Sequence, residues 1–181
     1  MKKGREQIYD ELIVIKCLQG QEEAFEELVQ RFQKRLWNYA FKVTGSESAA
    51  WDIVQETWIG VIKGLKKLED LSLFRSWIYR ILNNKCADFL RKQQAQIRLN
   101  NKIAEDTISE KNTDTNEETE ILYKAIMGLL PEQRALLMLR FHENFDINEI
   151  SKILKIPAGT VKSKLHRTVT ELRNLVERTK K

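Results

Sequence analysis

The stretch "DINEISKILKIPAGTVKSKLHR" (residues 146–167) contains two short amphipathic segments separated by a break, and it decides the fold class. Its apolar residues recur at helical spacing in the first segment: Ile147, Ile150, Ile153 and Leu154. Asp146 and Glu149 have the spacing of a capping box, which predicts that a helix begins at 147. "KIPAG" (155–159) then interrupts the pattern. Helix, tight turn and second helix together predict a helix-turn-helix.

The second helix of this unit, about 158–178, has one apolar face and one basic face. Its apolar residues are Val161, Leu165, Val169, Leu172 and Val176, and its outward bases are Lys162, Lys164, Arg167 and Arg173. In a helix-turn-helix the second helix lies in the major groove, where cations hold phosphates and polar side chains read bases. The candidates for these contacts are Thr160, Lys162, Ser163, Lys164, His166 and Arg167. The alternative is an ordinary helical hairpin with a solvated basic face.

The segments on the N-terminal side of this unit are also helical in pattern. A helix is expected at about 118–129, and "LLPEQ" places Pro131 in the first turn of the next, at 132–143. Farther back, the apolar spacing predicts helices at 8–20, 22–43, 49–65 and 74–93. "TGSES" (44–48) is a turn in which Ser46 or Ser48 caps the helix that follows. The sequence therefore predicts an all-α protein.

Residues 94–117 lack this pattern. From Arg98 to Glu120 there are seven acids and three bases, whereas Lys152–Lys181 has nine bases and two acids. The middle segment has too few large apolar residues to offset the entropy cost of ordering it. We expect a flexible acidic linker between two small helical domains, the second of which binds nucleic acid.

Composition excludes several classes of protein. Cys17 and Cys86 are too few for a disulfide framework and are expected to be reduced core thiols. His142 and His166 lie in different helices without a ligand pattern, so we expect no metal. There is no phosphate-binding glycine loop and no dinucleotide fingerprint, so we expect no cofactor, no small-molecule substrate and no enzyme activity. No signal peptide or membrane span is apparent, which predicts a cytoplasmic protein.

The C-terminal motifs resemble a known family. "DINEISKILKIPAGTVKSKLHRTVTELRNLV" (146–176) is similar to the C-terminal domain of extracytoplasmic-function (ECF) sigma factors of the sigma-70 family, and "LLPEQRALLMLRF" (129–141) is similar to the segment before it. The resemblance implies that the second helix reads the minus-thirty-five promoter element. One departure is Lys155, where many such turns have glycine, because a left-handed backbone is less favourable for lysine.

The N-terminal half extends the resemblance. "AAWDIVQETWIGVIKGL" (49–65) resembles the family's polymerase-binding helix, in which Asp52, Gln55 and Glu56 correspond to residues that meet the clamp helices of the largest polymerase subunit. Their spacing of about one helical turn lets an acidic-polar patch face outward while Ile53, Val54 and Trp58 pack elsewhere. The alternative is a solvated helix face.

"SLFRSWIYRILNNKCADFLRKQ" (72–93) resembles the family's promoter-melting segment. It has five bases and one acid interleaved with aromatic residues, as single-strand binding requires. The resemblance implies that Asn84 and loop 66–73, which contains Leu68, capture a base flipped from the minus-ten element. The remaining candidates on this surface are Arg75, Tyr79, Arg80, Lys85, Asp88, Arg91 and Lys92. Tyr79 is expected to point away from the apolar stripe and to stack on a base, whereas Phe74, Trp77 and Ile81 are expected in the core.

The resemblance implies a domain assignment for the whole chain. Residues 1–93 correspond to sigma domain 2, 94–117 to the linker and 118–181 to sigma domain 4. The implied partners are core RNA polymerase, through its largest and second-largest subunits, and promoter DNA, with an anti-sigma factor as a further partner. In the family the linker threads polymerase's active-site cleft; a passive tether is the alternative. A stand-alone helix-turn-helix regulator and a small nuclease are the competing functions.

Overall fold

The computed structural model describes residues 2–100 and 117–179. Within these ranges the chain is helical, with two short 3-10 turns (Leu65–Lys67 and Leu71–Leu73), one π-helical turn (Met138–His142) and no β-strand. The α-helices are α1 Lys2–Leu18, α2 Glu22–Thr44, α3 Glu47–Gly64, α4 Phe74–Asn100, α5 Glu117–Met127, α6 Pro131–Leu137, α7 Ile147–Leu154 and α8 Ala158–Thr179. The all-α prediction is confirmed.

Local sequence signals set several helix boundaries as expected. The Ser46 hydroxyl accepts a hydrogen bond from the Ala49 amide at 3.3 Å, so Ser46 is the cap of α3. Pro131 occupies the first turn of α6, where a missing amide hydrogen costs nothing. α2 ends at Gly45, which has a φ of 77° that most other residues avoid.

Two boundaries differ from expectation. α4 continues through Asn100 rather than ending near 93, because residues 94–100 contain no glycine or proline and are mostly good helix formers. The remainder of the predicted linker, 101–116, lies outside the described residues. The helix expected at 132–143 is α6 followed by the π-helical turn, where the Glu143 amide bonds to the Met138 carbonyl at 2.9 Å.

The N-terminal helices, α1 to α4, enclose a well-filled apolar core. Its largest fully buried side chains include Phe32, Leu36, Tyr39, Phe74 and Ile78. α3 and α4 approach closely at Gly64, where an added Cβ would lie 2.8 Å from the Trp77 ring. This core holds the outward faces of α3 and α4 in fixed positions.

The C-terminal helices, α5 to α8, pack against the N-terminal helices and share a core with them. α7 lies against α4, and α6 lies against α2. Leu136, Leu139, Phe145, Ile150 and Val161 belong to the same cluster of buried side chains as the N-terminal core. The two predicted helical units are therefore in contact, which local sequence patterns did not indicate.

The fold has no candidate membrane span among the helices of residues 2–100 and 117–179, since none is both long and apolar enough to cross a bilayer.

Candidate polymerase-binding and nucleic-acid-binding surfaces

The helix-turn-helix is formed by α7 and α8. Asp146 accepts from the Glu149 amide at 2.8 Å, and the Glu149 carboxylate accepts from the Asp146 amide at 2.7 Å, which completes the predicted capping box. Lys155 adopts the left-handed conformation that glycine usually supplies, with φ 54° and ψ 42°. The Ser151 hydroxyl donates to the Ile156 carbonyl at 2.6 Å and closes the turn.

The outer face of α8 is open to solvent. Its exposed candidates are Lys162, Ser163, Lys164, His166 and Arg167, and Thr160 is half-buried. Val161 and Thr168 are buried and fix the rotation of the helix. Lys164 lies 3.2 Å from Glu132 of α6, an exposed pair of little energetic consequence that a phosphate can replace.

α4 presents a second polar surface. The predicted contact residues that are exposed on it are Arg80, Asn84, Asp88, Arg91 and Lys92. Arg91 forms an ion pair with Asp88 one turn away. Lys85 is half-buried and lies 2.6 Å from Glu56 of α3, while Leu68 is half-buried in the loop before the helix. Cations and an exposed amide thus line one edge of α4, a pattern typical of single-strand binding.

The expectation for Tyr79 is wrong. Its ring is fully buried, edge-on to Tyr39 at 5.7 Å and to Phe145 at 5.2 Å between ring centroids. Burial raises the pKa of the Tyr79 hydroxyl well above 10.0. The ring belongs to the core because Phe145, 66 positions later in the sequence, covers it, and no local pattern reports such a contact.

Arg75 is also mostly enclosed, although it was expected to hold a phosphate. Its side chain is 17% exposed, and its guanidinium lies 3.3 Å from the Glu143 carboxylate and 4.5 Å from the centre of the Phe145 ring. The same guanidinium donates to the Glu143 carbonyl. In this arrangement the Arg75 charge is directed at another part of the same chain.

α3 carries the predicted acidic-polar patch. Asp52, Gln55 and Glu56 are exposed, while Ile53, Val54 and Trp58 on the other faces are buried. Hydrogen bonding to Lys85 lowers the pKa of the Glu56 carboxyl. Glu56 is thus paired with Lys85 of α4, while Asp52 and Gln55 are open to solvent beside it.

Sequence reasoning missed three charged residues that join the two groups of helices. Glu143 is fully buried and accepts from Arg35 at 2.6 Å. Burial raises the pKa of the Glu143 carboxyl, but its neighbours, including Tyr79 and Arg35, outweigh burial and leave the pKa below 4.5. Arg134 donates to the Val43 carbonyl at 2.8 Å and to the Met127 carbonyl at 2.9 Å. The hydrogen-bond partners of these charged residues lie up to 108 positions away in the sequence, so only the tertiary structure could identify them.

The two cysteines are not placed as exposed reactive thiols, and potential metal ligands do not cluster among the described residues. Cys86 is buried, and burial raises the pKa of its thiol to about 12, while Cys17 is half-buried. No group of three or more potential ligands surrounds a metal-sized space in the part of the chain that the structure describes.

An acidic-polar patch, a basic helix edge and a helix-turn-helix on one chain are typical of a DNA-binding protein that also has a protein partner. Residues 28–96 match Sigma-70 region 2, and residues 119–172 match Sigma-70, region 4. The chain belongs to the sigma-70 family of RNA polymerase sigma factors, in its ECF group. Such a factor directs RNA polymerase to promoters.

Individual relatives agree with this assignment. The ECF RNA polymerase sigma factor SigW of Bacillus subtilis is 25% identical over 167 residues, which cover 85% of this chain and 89% of SigW. The ECF RNA polymerase sigma-E factor of Haemophilus influenzae is 27% identical over 185 residues, covering 95% and 97%. The fold is similar to that of the sigma factor RpoE, solved in complex with the anti-sigma factor NepR from Bartonella quintana, with a TM-score of 0.75, 20% identity and coverage of 84% and 96%.

Proposed function

We propose that this chain binds core RNA polymerase through Asp52, Gln55 and Glu56 and brings it to promoters that have two separate elements. The observation that carries the proposal is the order of three exposed surfaces along the chain. The acidic-polar patch of α3, the basic edge of α4 and the outer face of α8 follow one another as the family's two regions do. The protein acts in the cytoplasm and contributes binding energy, and the chemistry belongs to polymerase.

The helix-turn-helix contacts the minus-thirty-five element. α8 enters the major groove, where Lys162, Lys164 and Arg167 hold phosphates and Thr160, Ser163 and His166 approach base edges. All of these residues except the half-buried Thr160 are exposed on a helix whose other face is fixed by Val161, which supports this role. Phosphate contacts make the affinity fall as salt rises.

α4 and loop 66–73 take the opened strand of the minus-ten element. Asn84 and Leu68 lie beside the captured base. Phosphate contacts come from Arg80, Lys85, Arg91 and Lys92, whereas Arg75 is paired with Glu143. Asp88 orients Arg91 through their ion pair. Tyr79 has no part in this contact, because its ring is in the core.

The proposed domains are residues 1–93 for polymerase and the minus-ten element, 94–117 for the linker and 118–181 for the minus-thirty-five element. The largest and second-largest polymerase subunits are the proposed partners of the first domain and the linker. An anti-sigma factor is a further proposed partner, since a protein with a similar fold has been solved in complex with one.

Run-off transcription with purified core polymerase and a pooled promoter library tests the function. Chain-dependent transcripts that start downstream of a shared two-part element are expected. If core does not bind the chain, and the chain alone binds duplex DNA, the protein is instead a stand-alone regulator.

Asn84→Ala tests the melting surface in the same assay. We expect this variant to retain core binding and to lose most open-complex formation, because it removes the amide proposed to hold the flipped base. Gln96→Ala, another exposed position on α4, is the matched control. Normal transcription by Asn84→Ala would refute this assignment.

A further inference from the structure

The first helix, α1, is apolar on two opposite faces. Its inner face packs into the N-terminal core, where Ile13 is 1% exposed and Val14 has no exposed surface. Its outer face carries Ile8, Leu12 and Ile15, which are 59%, 50% and 39% exposed. A helix on the surface of a folded protein ordinarily pairs one apolar face with one polar face. These three exposed side chains form an outer stripe that the fold of the chain leaves uncovered.

The spacing of the outer stripe is that of a coiled-coil seam. Its members are separated by four and then three residues, so they follow one line along the helix. Leu18, which is 37% exposed, lies beside the C-terminal end of this line. Because the buried inner face already holds α1 in place, a second helix packs on the stripe without the entropy cost of ordering α1.

Charged residues flank the outer stripe on opposite sides. Glu11 precedes Leu12, and Lys16 follows Ile15. Lys16 is exposed, while Glu11 is half-buried and accepts only a neutral hydrogen bond from the Gln7 side chain at 3.1 Å. Lys16 comes five residues after Glu11, which is the offset at which the facing flanks of two parallel helices meet. A parallel pair therefore joins opposite charges, whereas an antiparallel pair places like charges together.

The area of the outer stripe favours a weak pair over a permanent one. Together with Leu18, the stripe exposes about 300 Å² of side-chain surface, a size that is often functional on a folded protein. Once the flanking side chains are included, two copies bury on the order of 1,000 Å² in total, the lower limit for a specific interface. Such interfaces are typical of transient complexes.

We infer that the outer stripe of α1 is a docking surface for a second copy of this chain. The two α1 helices lie parallel, with Glu11 of each copy beside Lys16 of the other. One flank of the seam supplies the acid and the other the base, so the surface is complementary to itself, as a two-fold axis requires. The proposed function places no residue of α1 in the polymerase-binding or DNA-binding surfaces, so the inference stands independently of it.

Sedimentation equilibrium of the full chain, from about 5 to about 300 µM, tests this pairing. The weight-average mass should rise with concentration from 21.3 kDa toward twice that value. Leu12→Glu puts a charge at the centre of the seam and should stay at the monomer mass throughout. Ile62→Glu, which changes an equally accessible isoleucine of α3, is the matched control and should associate like the original chain. Circular dichroism checks the helicity of each variant.

A charge exchange tests the parallel arrangement. Glu11→Lys and Lys16→Glu each replace two attractive contacts by two repulsive ones, and each should weaken association about threefold or more. The double variant restores opposite charges across the seam and should associate within about twofold of the original chain. Both positions lie at the solvent-facing side of α1, so these variants leave the core of the protein intact.

The other results overturn the inference. A monomer at every concentration excludes self-pairing and leaves the outer stripe to a partner of different sequence. Association that persists in Leu12→Glu, or that is lost in Ile62→Glu, places the contact between copies on another surface. Association that is lost in Leu12→Glu but is not recovered by the double charge exchange refutes the parallel arrangement.

Discussion

Replacing Arg134 by methionine should uncouple the two groups of helices. Arg134 is 8% exposed, and its guanidinium donates to the Val43 carbonyl near the end of α2 and to the Met127 carbonyl at the end of α5. Both carbonyls belong to the last turn of a helix, where unpaired acceptors and the helix dipole favour a cation. One side chain therefore caps two helices that are distant in sequence.

The size of the expected stability loss follows from these two hydrogen bonds. A hydrogen bond from a charged donor contributes about 1.5–3 kcal/mol, so two contribute about 3–6 kcal/mol. Burial opposes this gain: it lowers the pKa of Arg134, and the charge is removed from water. Methionine retains much of the apolar contact. We expect a net loss of about 2–3 kcal/mol in the free energy of unfolding, within the range of strongly destabilising substitutions.

Urea unfolding followed by two probes measures this effect. All four tryptophans lie in the N-terminal helices, at positions 37, 51, 58 and 77, whereas circular dichroism reports every helix. For an m-value of about 2 kcal/mol/M, the midpoint should fall by about 1–1.5 M. The two probes should also separate in Arg134→Met, because the C-terminal helices then unfold first.

The control and the refuting result are specific. Arg173→Met, at an exposed position of α8, should remain within about 0.5 kcal/mol of the original chain. If the original chain already shows separate tryptophan and dichroism transitions, or if Arg134→Met moves neither midpoint, Arg134 does not couple the two groups.

Three other outcomes test the fold and the pairing of Glu143. Lys155→Gly should stabilise the protein by about 0.5–1 kcal/mol in urea unfolding, because the left-handed conformation costs lysine more than glycine; destabilisation would contradict this. Gly64→Ala should cost about 1–3 kcal/mol, since its Cβ would lie 2.8 Å from Trp77, and an unchanged midpoint would refute that close approach. The titratable or charged groups near the Glu143 carboxylate include Arg35, Arg75, His142 and Tyr79. Because the folded pKa of Glu143 lies below its usual 4.5, its contribution to the free energy of unfolding is full above pH 4.5 and declines as pH falls through the folded value. The urea midpoint should fall on acidification more steeply in the original chain than in Glu143→Gln, and equal slopes would exclude this carboxylate as the cause.

Sequence alone determined the local structure and the placement of the DNA-binding unit. The capping box at Asp146, the cap at Ser46 and the first-turn Pro131 follow from hydrogen-bonding rules that act over three or four residues. The outward position of Asp52 and Arg167 follows from helical periodicity. Each of these signals involves residues within one or two helical turns, so it can be recognised from the sequence alone.

Only the tertiary structure decided which polar and aromatic side chains are buried between the helices. Tyr79 was expected at the surface and lies in the core because Phe145 covers it. Arg75 was expected to face DNA and instead meets Glu143, 68 positions away. A helix pattern reports which face is apolar, but it does not report which distant segment packs there, and a charge becomes buried only when that segment supplies its partner.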